Sequence, residues 1–128
     1  MKKETDYAVE KFKKAAERLK QGISQAKDEL GQDGIIQRFE FTFELMWKCL
    51  KVLLQEQGII TKSPKDSLKS AFQVGFIEEE QAFLDMFEDR NLASHLYSKE
   101  DSEAIFQRIK KGHLPKVEAL LARLKKEA

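Results

Sequence analysis

Residues 35–54 read IIQRFEFTFELMWKCLKVLL, and they carry apolar side chains on two opposite sides of a helix. The first side follows the three-and-four spacing of a packed helix: Ile36, Phe39, Phe43, Met46, Trp47, Leu50 and Leu54. At about 100° per residue, a second stripe falls roughly opposite, and it consists of Phe41, Leu45, Cys49 and Val52. A helix with one solvated face would not carry both. We therefore predict that this helix is sandwiched inside the fold, or that its second stripe forms a dimer or partner interface.

Helical periodicity continues on the N-terminal side of this segment. Apolar residues spaced three or four apart predict a long first helix: Val9, Phe12, Ala16, Leu19, Ile23, Ala26 and Leu30. Gly31 and Gly34 then predict a turn between the first two helices. The second helix is predicted to span about residues 35–57, with Gly58 at its C-terminal cap.

Cap and turn residues predict a short third helix and the start of a fourth. Ser63 followed by Pro64 has the pattern of a helix N-terminus, because a serine can cap the helix and proline is tolerated at its first position. Gly75 is predicted to end this third helix. The fourth helix is predicted to begin near Ile77.

A final helix is predicted after Ser98, since Asp101 three residues later resembles a capping box. Gly112 and Pro115 should bend or interrupt this helix. No segment shows the alternating pattern of a strand. The sequence therefore predicts a single all-α domain over residues 1–128, an antiparallel up-and-down four-helix bundle with an extra short helix.

Composition excludes several classes of function. The 128-residue chain is 41% hydrophobic and 35% charged, a balance typical of soluble helical proteins. No apolar run reaches the roughly 18 residues of a membrane-spanning helix, and no signal-peptide pattern is recognisable, so we expect a cytoplasmic protein with no membrane partner. The lone Cys49 has no partner at zinc-ligand spacing. Phosphate-binding glycine loops and Asp-x-Asp pairs are also missing, so we expect no metal, no cofactor and no nucleotidyl transfer by this chain alone.

Charge is distributed unevenly along the chain. Residues 78–90 contain six acids and one base, a net charge of −5, whereas residues 108–126 contain seven bases and one acid, a net charge of +6. Two interpretations are open at this point. The basic block could form a local basic face, or both blocks could be solvated helix surfaces.

Polar residues cluster in the segment FEDRNLASHLYSKED, residues 87–101. The apolar side of the predicted fourth helix turns polar at Arg90, Asn91 and Ser94, with His95 at its edge. Partly buried polar groups must be hydrogen-bonded, so this cluster indicates a network or a site, although basic residues also occur simply as helix C-terminal caps. Arg90 and His95 lie about 140° apart on a continuous helix. Their convergence requires the arginine to swing round, a helix break or a second copy of the chain.

Three segments resemble one known family. IIQRFEFTFELMWKCLKVLL, FQVGFI and FLDMFEDRNLASHLY occur in order, and they are similar to the nucleotidyltransferase substrate-binding proteins, a branch of the HEPN superfamily. The resemblance implies a bundle of four to five helices that forms a homodimer. It also implies a partner, a minimal nucleotidyltransferase on a separate chain, which supplies the catalytic groups that this chain lacks.

The resemblance extends to a catalytic motif. HEPN ribonucleases carry an arginine, a polar residue and, after a few more residues, a histidine, and here Arg90, Asn91 and His95 match. Tyr97 matches the tyrosine that the partner adenylylates in the toxin branch. The resemblance thus implies a metal-independent endoribonuclease toxin that acts on RNA and is silenced by its partner. The alternatives are a non-catalytic substrate-binding subunit of a two-component nucleotidyltransferase, or a pure interaction module working through the second stripe.

The sequence also suggests structural roles for other residues. His113, near Pro115, is predicted to be a surface histidine with no chemistry. Glu40 and Glu44 on the flank of the second helix could reach the cleft of the candidate site, but the spacing of Glu44 and Lys48 also predicts an exposed ion pair on one helix. Trp47 is predicted to lie in the core.

Overall fold

The computed structural model describes the backbone of residues 3–96 and 98–127 and the side chains up to residue 124. Within these residues the chain forms helices only: α1 (Lys3–Gln25), α2 (Glu29–Glu56), α3 (Pro64–Gln73), α4 (Glu80–Leu92), α5 (Lys99–Arg108) and α6 (Leu114–Glu127). A 3₁₀ turn, Ala93–His95, follows α4, and a π-helical turn, Ile109–His113, joins α5 to α6. The predicted all-α class is confirmed.

The helices form an antiparallel bundle around α2. Because α5 and α6 continue each other through the π turn, the bundle consists of α1, α2, α4 and the bent α5–α6 unit, with α3 as the extra short helix. Helix α2 contacts α1, α3, α4 and α5, so it is surrounded on most sides. These contacts bury the long apolar face of α2. The bundle predicted from the sequence is confirmed, and none of the helices in the described ranges is long and apolar enough to cross a membrane.

The boundary between α1 and α2 differs from the prediction. Asp28 caps α2, and its carboxylate accepts the backbone N–H of Gly31 at 2.8 Å. Gly31 and Gly34 therefore lie inside the first turns of α2, although each glycine costs about 1 kcal/mol relative to alanine in a helix. Leu30 is 81% exposed and does not belong to the buried seam of α1. The predicted turn at Gly31–Gly34 is wrong because the capping aspartate starts the helix earlier.

The other predicted helix ends agree more closely with the structure. The Ser63 hydroxyl accepts the backbone N–H of Asp66 at 3.2 Å, which fixes the start of α3. The Ser98 hydroxyl accepts the N–H of Asp101 at 3.1 Å and starts α5 in the same way. Gly75, with a φ of 90°, takes the left-handed conformation after α3. Helix α4 begins at Glu80, three residues later than predicted.

The predicted interruption of the last helix is a π-helical turn. Pro115 has no backbone N–H, so the regular hydrogen-bond ladder cannot continue through it. The N–H of Leu114 instead bonds to the carbonyl of Ile109, five residues earlier. His113 lies four residues after the buried Ile109, on the same side of the helix, and is only 7% exposed. The prediction of a surface histidine is therefore wrong.

The second stripe of α2 is only partly a surface. Cys49 is 1% exposed and packs in the core of the single chain, and burial raises the pKa of its thiol to about 12. The prediction of an interface is therefore wrong for Cys49, which offers no surface to another chain. Leu45 and Val52 are half-buried, whereas Phe41 is 57% exposed. An apolar surface centred on Phe41 is what remains of the second stripe.

Candidate functional site

The candidate site lies where α4 ends. The helix stops at Leu92, and the 3₁₀ turn that follows winds at about 120° per residue instead of 100°. This is the helix break that the sequence analysis gave as one way for Arg90 and His95 to converge. The Ser94 hydroxyl donates to the carbonyl of Asn91 at 2.9 Å and stabilises the turn. Leu96 is extended, so the chain leaves the helix axis directly after His95.

Arg90 reaches across to α2. Its side chain is 32% exposed, and Nη2 donates to Oε2 of Glu44 at 3.0 Å. Nη1 donates to Oδ1 of Asn91 at 3.3 Å. The guanidinium carbon lies 5.8 Å from the centre of the Phe43 ring, within the range of a cation–π contact. These contacts hold the guanidinium at the protein surface in a defined orientation.

Glu44 is the centre of this arrangement. Its Oε2 accepts Arg90 and also the indole N–H of Trp47 at 3.1 Å, while Oε1 pairs with Nζ of Lys48 at 3.2 Å. Burial opposes ionisation of Glu44, but the hydrogen bonds from Trp47 and Lys48 and the charges of Lys48 and Arg90 outweigh it and lower its pKa. The predicted pair of Glu44 and Lys48 is confirmed. Its link to Arg90 was not predicted.

The predicted site residues are brought together only in part. Arg90 and Asn91 contact each other, and Asn91 and His95 are exposed. The arginine swings towards α2 rather than towards His95, and no hydrogen bond or ion pair joins the two among the residues that the structure describes. Tyr97, the predicted modification site, lies outside the described residues.

A cleft of about 440 Å³ adjoins the 3₁₀ turn. One wall is the start of α2, with Asp33 and Glu40, and the other includes Leu96, Ser98 and Lys99. Burial raises the pKa of Glu40, although the nearby charge of Arg90 partly opposes this. The α2 wall is acidic, so this cleft disfavours a phosphate, and Arg90 beside it is the better anion contact.

A second polar cluster holds the other side of α4, and the sequence did not predict it. Asp89 accepts two hydrogen bonds from Arg108, at 2.8 and 2.9 Å, and Nε2 of His113 lies 2.6 Å from its Oδ2. The His113 ring stacks on Phe39, with 5.3 Å between the ring centres. Burial opposes ionisation of Asp89, but the hydrogen bonds from His113 and Arg108 outweigh it and lower its pKa to about 2. This cluster fixes α4 against the π turn.

The two charged blocks of the sequence face each other in the fold. Four contacts link the acidic block to the basic block: Asp89 with Arg108, Asp89 with His113, Glu79 with Lys116 at 2.7 Å, and Glu78 with Arg123. Three of the seven bases of the block, Arg108, Lys116 and Arg123, are therefore paired with α4 and the residues just before it. This pairing reduces the basic charge that the block presents to solvent. Among the described residues, no group of three His, Cys, Asp or Glu side chains is placed to hold a metal ion.

The sequence matches a known family over nearly its whole length. The profile of the family described as "Nucleotidyltransferase substrate binding protein like" matches residues 7–126. A curated Haemophilus influenzae protein, described as a probable ribonuclease HepT, is 35% identical over 81 residues. These cover 59% of this chain and 56% of that protein, so the match spans a little over half of the relative's length.

Solved structures share the fold. A crystal structure from Thermus thermophilus is 33% identical, with a TM-score of 0.77, and the match covers 91% of this chain and 97% of that one. A Haemophilus influenzae structure, described as revealing the fold of a substrate binding domain of a nucleotidyltransferase, is 28% identical over 91% and 98% of the chains, with a TM-score of 0.81. A Shewanella oneidensis HEPN toxin, solved tri-AMPylated and with its MNT antitoxin, has a TM-score of 0.80 over 98% and 99%. At 20% identity, this last match reports on the fold alone.

Proposed function

The chain belongs to the nucleotidyltransferase substrate binding protein-like family, and on this premise we propose that it is a HEPN-type toxin that cleaves RNA without a metal ion. A separate minimal nucleotidyltransferase silences it. One relative supports the ribonuclease activity by its description as a probable ribonuclease. The HEPN toxin solved with its MNT antitoxin shares the fold, and the proposed partner is inferred from that pair by analogy of fold.

The observation that carries the proposal is the setting of Arg90. Its guanidinium is half-buried, held by Glu44 and Asn91, and lies five residues before the exposed His95 at a helix end. A fixed arginine fork suits a phosphate, because its planar donors match phosphate oxygens. Arg90 is proposed to bind the scissile phosphate and to stabilise the charge that develops on it.

His95 is the proposed proton-transfer group. An imidazole can both accept and donate a proton, so His95 can act as a general base or a general acid. As a base it takes the proton of a ribose 2′-hydroxyl, and the 2′-oxygen attacks the adjacent phosphorus. The P–O5′ bond then breaks, and the leaving oxygen receives a proton from an imidazolium. The products are a 2′,3′-cyclic phosphate and a 5′-hydroxyl, and no oxidant, water or metal is consumed.

A homodimer completes this proposal. Arg90 and His95 lack a direct bond within the described chain, and a second copy across the α2 surface would bring two such pairs to one RNA backbone. Phe41, with its half-buried neighbours Leu45 and Val52, is the proposed contact. Glu44 lies one turn from Phe41 on the same helix, so this surface adjoins the site.

Silencing is proposed to act on Tyr97. Its hydroxyl oxygen would attack the α-phosphorus of ATP on the partner nucleotidyltransferase, with pyrophosphate as the leaving group. The attached AMP adds bulk and negative charge two residues from His95, which opposes the approach of RNA. A Tyr97→Phe variant should then cleave RNA as the unmodified protein does and resist silencing by the partner. Normal silencing of that variant would exclude this step.

The experiment that tests the function is cleavage of a mixed RNA pool in excess chelator. The wild-type protein should produce fragments, and the His95→Ala and Arg90→Ala variants should not. Because adenylylated protein would be inactive, its mass is checked first. An unmodified wild-type protein that leaves the pool intact would contradict the proposed function.

A second candidate function is a non-catalytic substrate-binding subunit of a two-component nucleotidyltransferase. The description of the Haemophilus influenzae structure as a substrate binding domain favours it. In that case Arg90 and His95 only bind the substrate. The protein would produce no RNA fragments alone, and its partner would transfer a nucleotide to a third molecule only in its presence.

A further inference from the structure

We propose that Glu44 is a positioning residue for Arg90, which it holds in the orientation that presents free guanidinium donors to a phosphate. This inference rests on the proposed phosphate-binding role of Arg90. It adds a residue from α2, 46 positions away in the sequence, to a site otherwise built at the end of α4.

The Glu44 carboxylate is itself fixed by the core. Trp47 is buried, so its indole N–H is a stationary donor, and it bonds to the same Oε2 atom that accepts Arg90. Lys48 holds the other oxygen. A carboxylate with both oxygens engaged has little freedom to rotate. The buried Trp47 thereby fixes the position of Glu44, and Glu44 fixes the position of the guanidinium.

The geometry leaves the arginine available to an anion. A guanidinium has five N–H donors, and among the residues that the structure describes Glu44 and Asn91 use one each, so three have no partner there. The Phe43 ring covers part of the group and limits its movement. Glu44 therefore orients Arg90 without saturating it.

Removing Glu44 should change RNA binding in opposite directions, depending on whether Glu44 positions Arg90 or acts only through its negative charge. A carboxylate close to the binding site repels a polyanion, so its loss should strengthen RNA binding if Glu44 does nothing else. If Glu44 positions Arg90, its loss should weaken binding, because the arginine must then be ordered at the moment of binding. The sign of the change separates the two roles.

The test is the affinity for an oligonucleotide with 2′-deoxy substitutions, which attack by a 2′-hydroxyl cannot cleave. Glu44→Ala should weaken binding by about 10-fold, a loss typical of a supporting hydrogen-bond partner. Glu44→Gln keeps an acceptor for Arg90 and should recover most of the affinity. Glu118→Gln is the matched control, because it removes a carboxylate that pairs with Lys20 elsewhere on the surface. Thermal unfolding of each variant verifies that it is folded.

A double-mutant cycle with Arg90→Ala completes the test. If Glu44 acts through Arg90, then Glu44→Ala should cause no further loss once Arg90 is absent. Equal losses in both backgrounds, or tighter binding by Glu44→Ala, would overturn the inference while the role of Arg90 stands. If Arg90→Ala itself leaves the affinity unchanged, the proposed function fails at the phosphate contact, and the inference about Glu44 fails with it.

Discussion

Asp89 and His113 meet through Oδ2 and Nε2 at 2.6 Å, although 24 residues separate them in the sequence. The next residue after Asp89, Arg90, bonds in a different direction to Glu44 on α2. Two adjacent residues of α4 therefore attach its last turn to two different elements of the bundle. The polar end of α4 is held from both sides.

The first prediction concerns the stability that His113 provides. His113→Ala leaves the buried Asp89 carboxylate with Arg108 as its only described partner and removes the stack on Phe39. We expect a loss of about 1–3 kcal/mol in the free energy of unfolding, the usual cost of removing a partner of a buried polar group. Chemical denaturation measures it. His95→Ala, on an exposed histidine, should change the stability by less than about 0.5 kcal/mol, and equal effects of the two variants would contradict this account.

The second prediction is a pH dependence that Asp89 causes. Hydrogen bonds from His113 and Arg108 outweigh burial and lower its pKa from 3.8 to about 2 in the folded protein. The stability from the ionised carboxylate is therefore present above the pKa of the unfolded chain and is lost as the pH falls towards 2. Asp89→Asn should lose part of the pH dependence of unfolding between about pH 4 and pH 2. Asp85→Asn, one turn earlier on α4, should retain it.

The third prediction tests the close contact of α1 with α2. A Cβ atom on Gly22 would lie 2.6 Å from Nη1 of Arg38 and 2.6 Å from Cδ1 of the buried Ile35. We expect Gly22→Ala to lower the free energy of unfolding by about 1 kcal/mol, because the buried Ile35 side chain must shift and this cost exceeds the roughly 0.5–1 kcal/mol that alanine contributes in a helix. Gly34→Ala is the control, since nothing lies within 4 Å of its added Cβ and alanine favours the helix by about 0.5–1 kcal/mol. A Gly22→Ala variant as stable as the wild-type protein would contradict the packing.

The fourth prediction concerns the exposed part of the second stripe. Phe41→Glu places a charge at the centre of the proposed dimer contact, and burying an unpaired charge is strongly unfavourable. The molecular mass measured by sedimentation should fall to that of the monomer, with the helical content unchanged. Leu30→Glu, at a more exposed leucine of the same helix, should leave the mass unaltered. An unchanged mass for Phe41→Glu would exclude this surface as the interface.

Local signals in the sequence predicted most of the fold. Ser63 and Ser98 cap helices by bonding to residues three positions away, so four consecutive residues are enough to predict where each of these helices begins. Asp28 uses the same type of bond, but the nearby glycines gave a competing turn signal. The boundary between α1 and α2 was therefore misplaced.

Long-range contacts explain the parts of the candidate site that could not be predicted. The motif from Arg90 to His95 is visible in the sequence because its residues lie within one short segment. Glu44 was predicted to reach the site or to pair with Lys48, but its bond to Arg90 was not predicted, since that bond depends on how α4 crosses α2. His113 was assigned to the surface as a histidine near a kink, and its partner Asp89 lies 24 residues away in the sequence, so no local pattern indicated their contact.

The most direct test of the central claim is the chemistry of the cut. A defined RNA and the same RNA with a single 2′-deoxy nucleotide at the cleaved position are incubated in excess chelator with the unmodified wild-type protein and with its His95→Ala variant. We predict that the wild-type protein cuts the all-ribose strand, leaving a 2′,3′-cyclic phosphate and a 5′-hydroxyl, and does not cut the 2′-deoxy position. The His95→Ala variant should cut neither RNA. Cleavage of the 2′-deoxy position, undiminished cleavage by His95→Ala, or no cleavage at all would contradict the account.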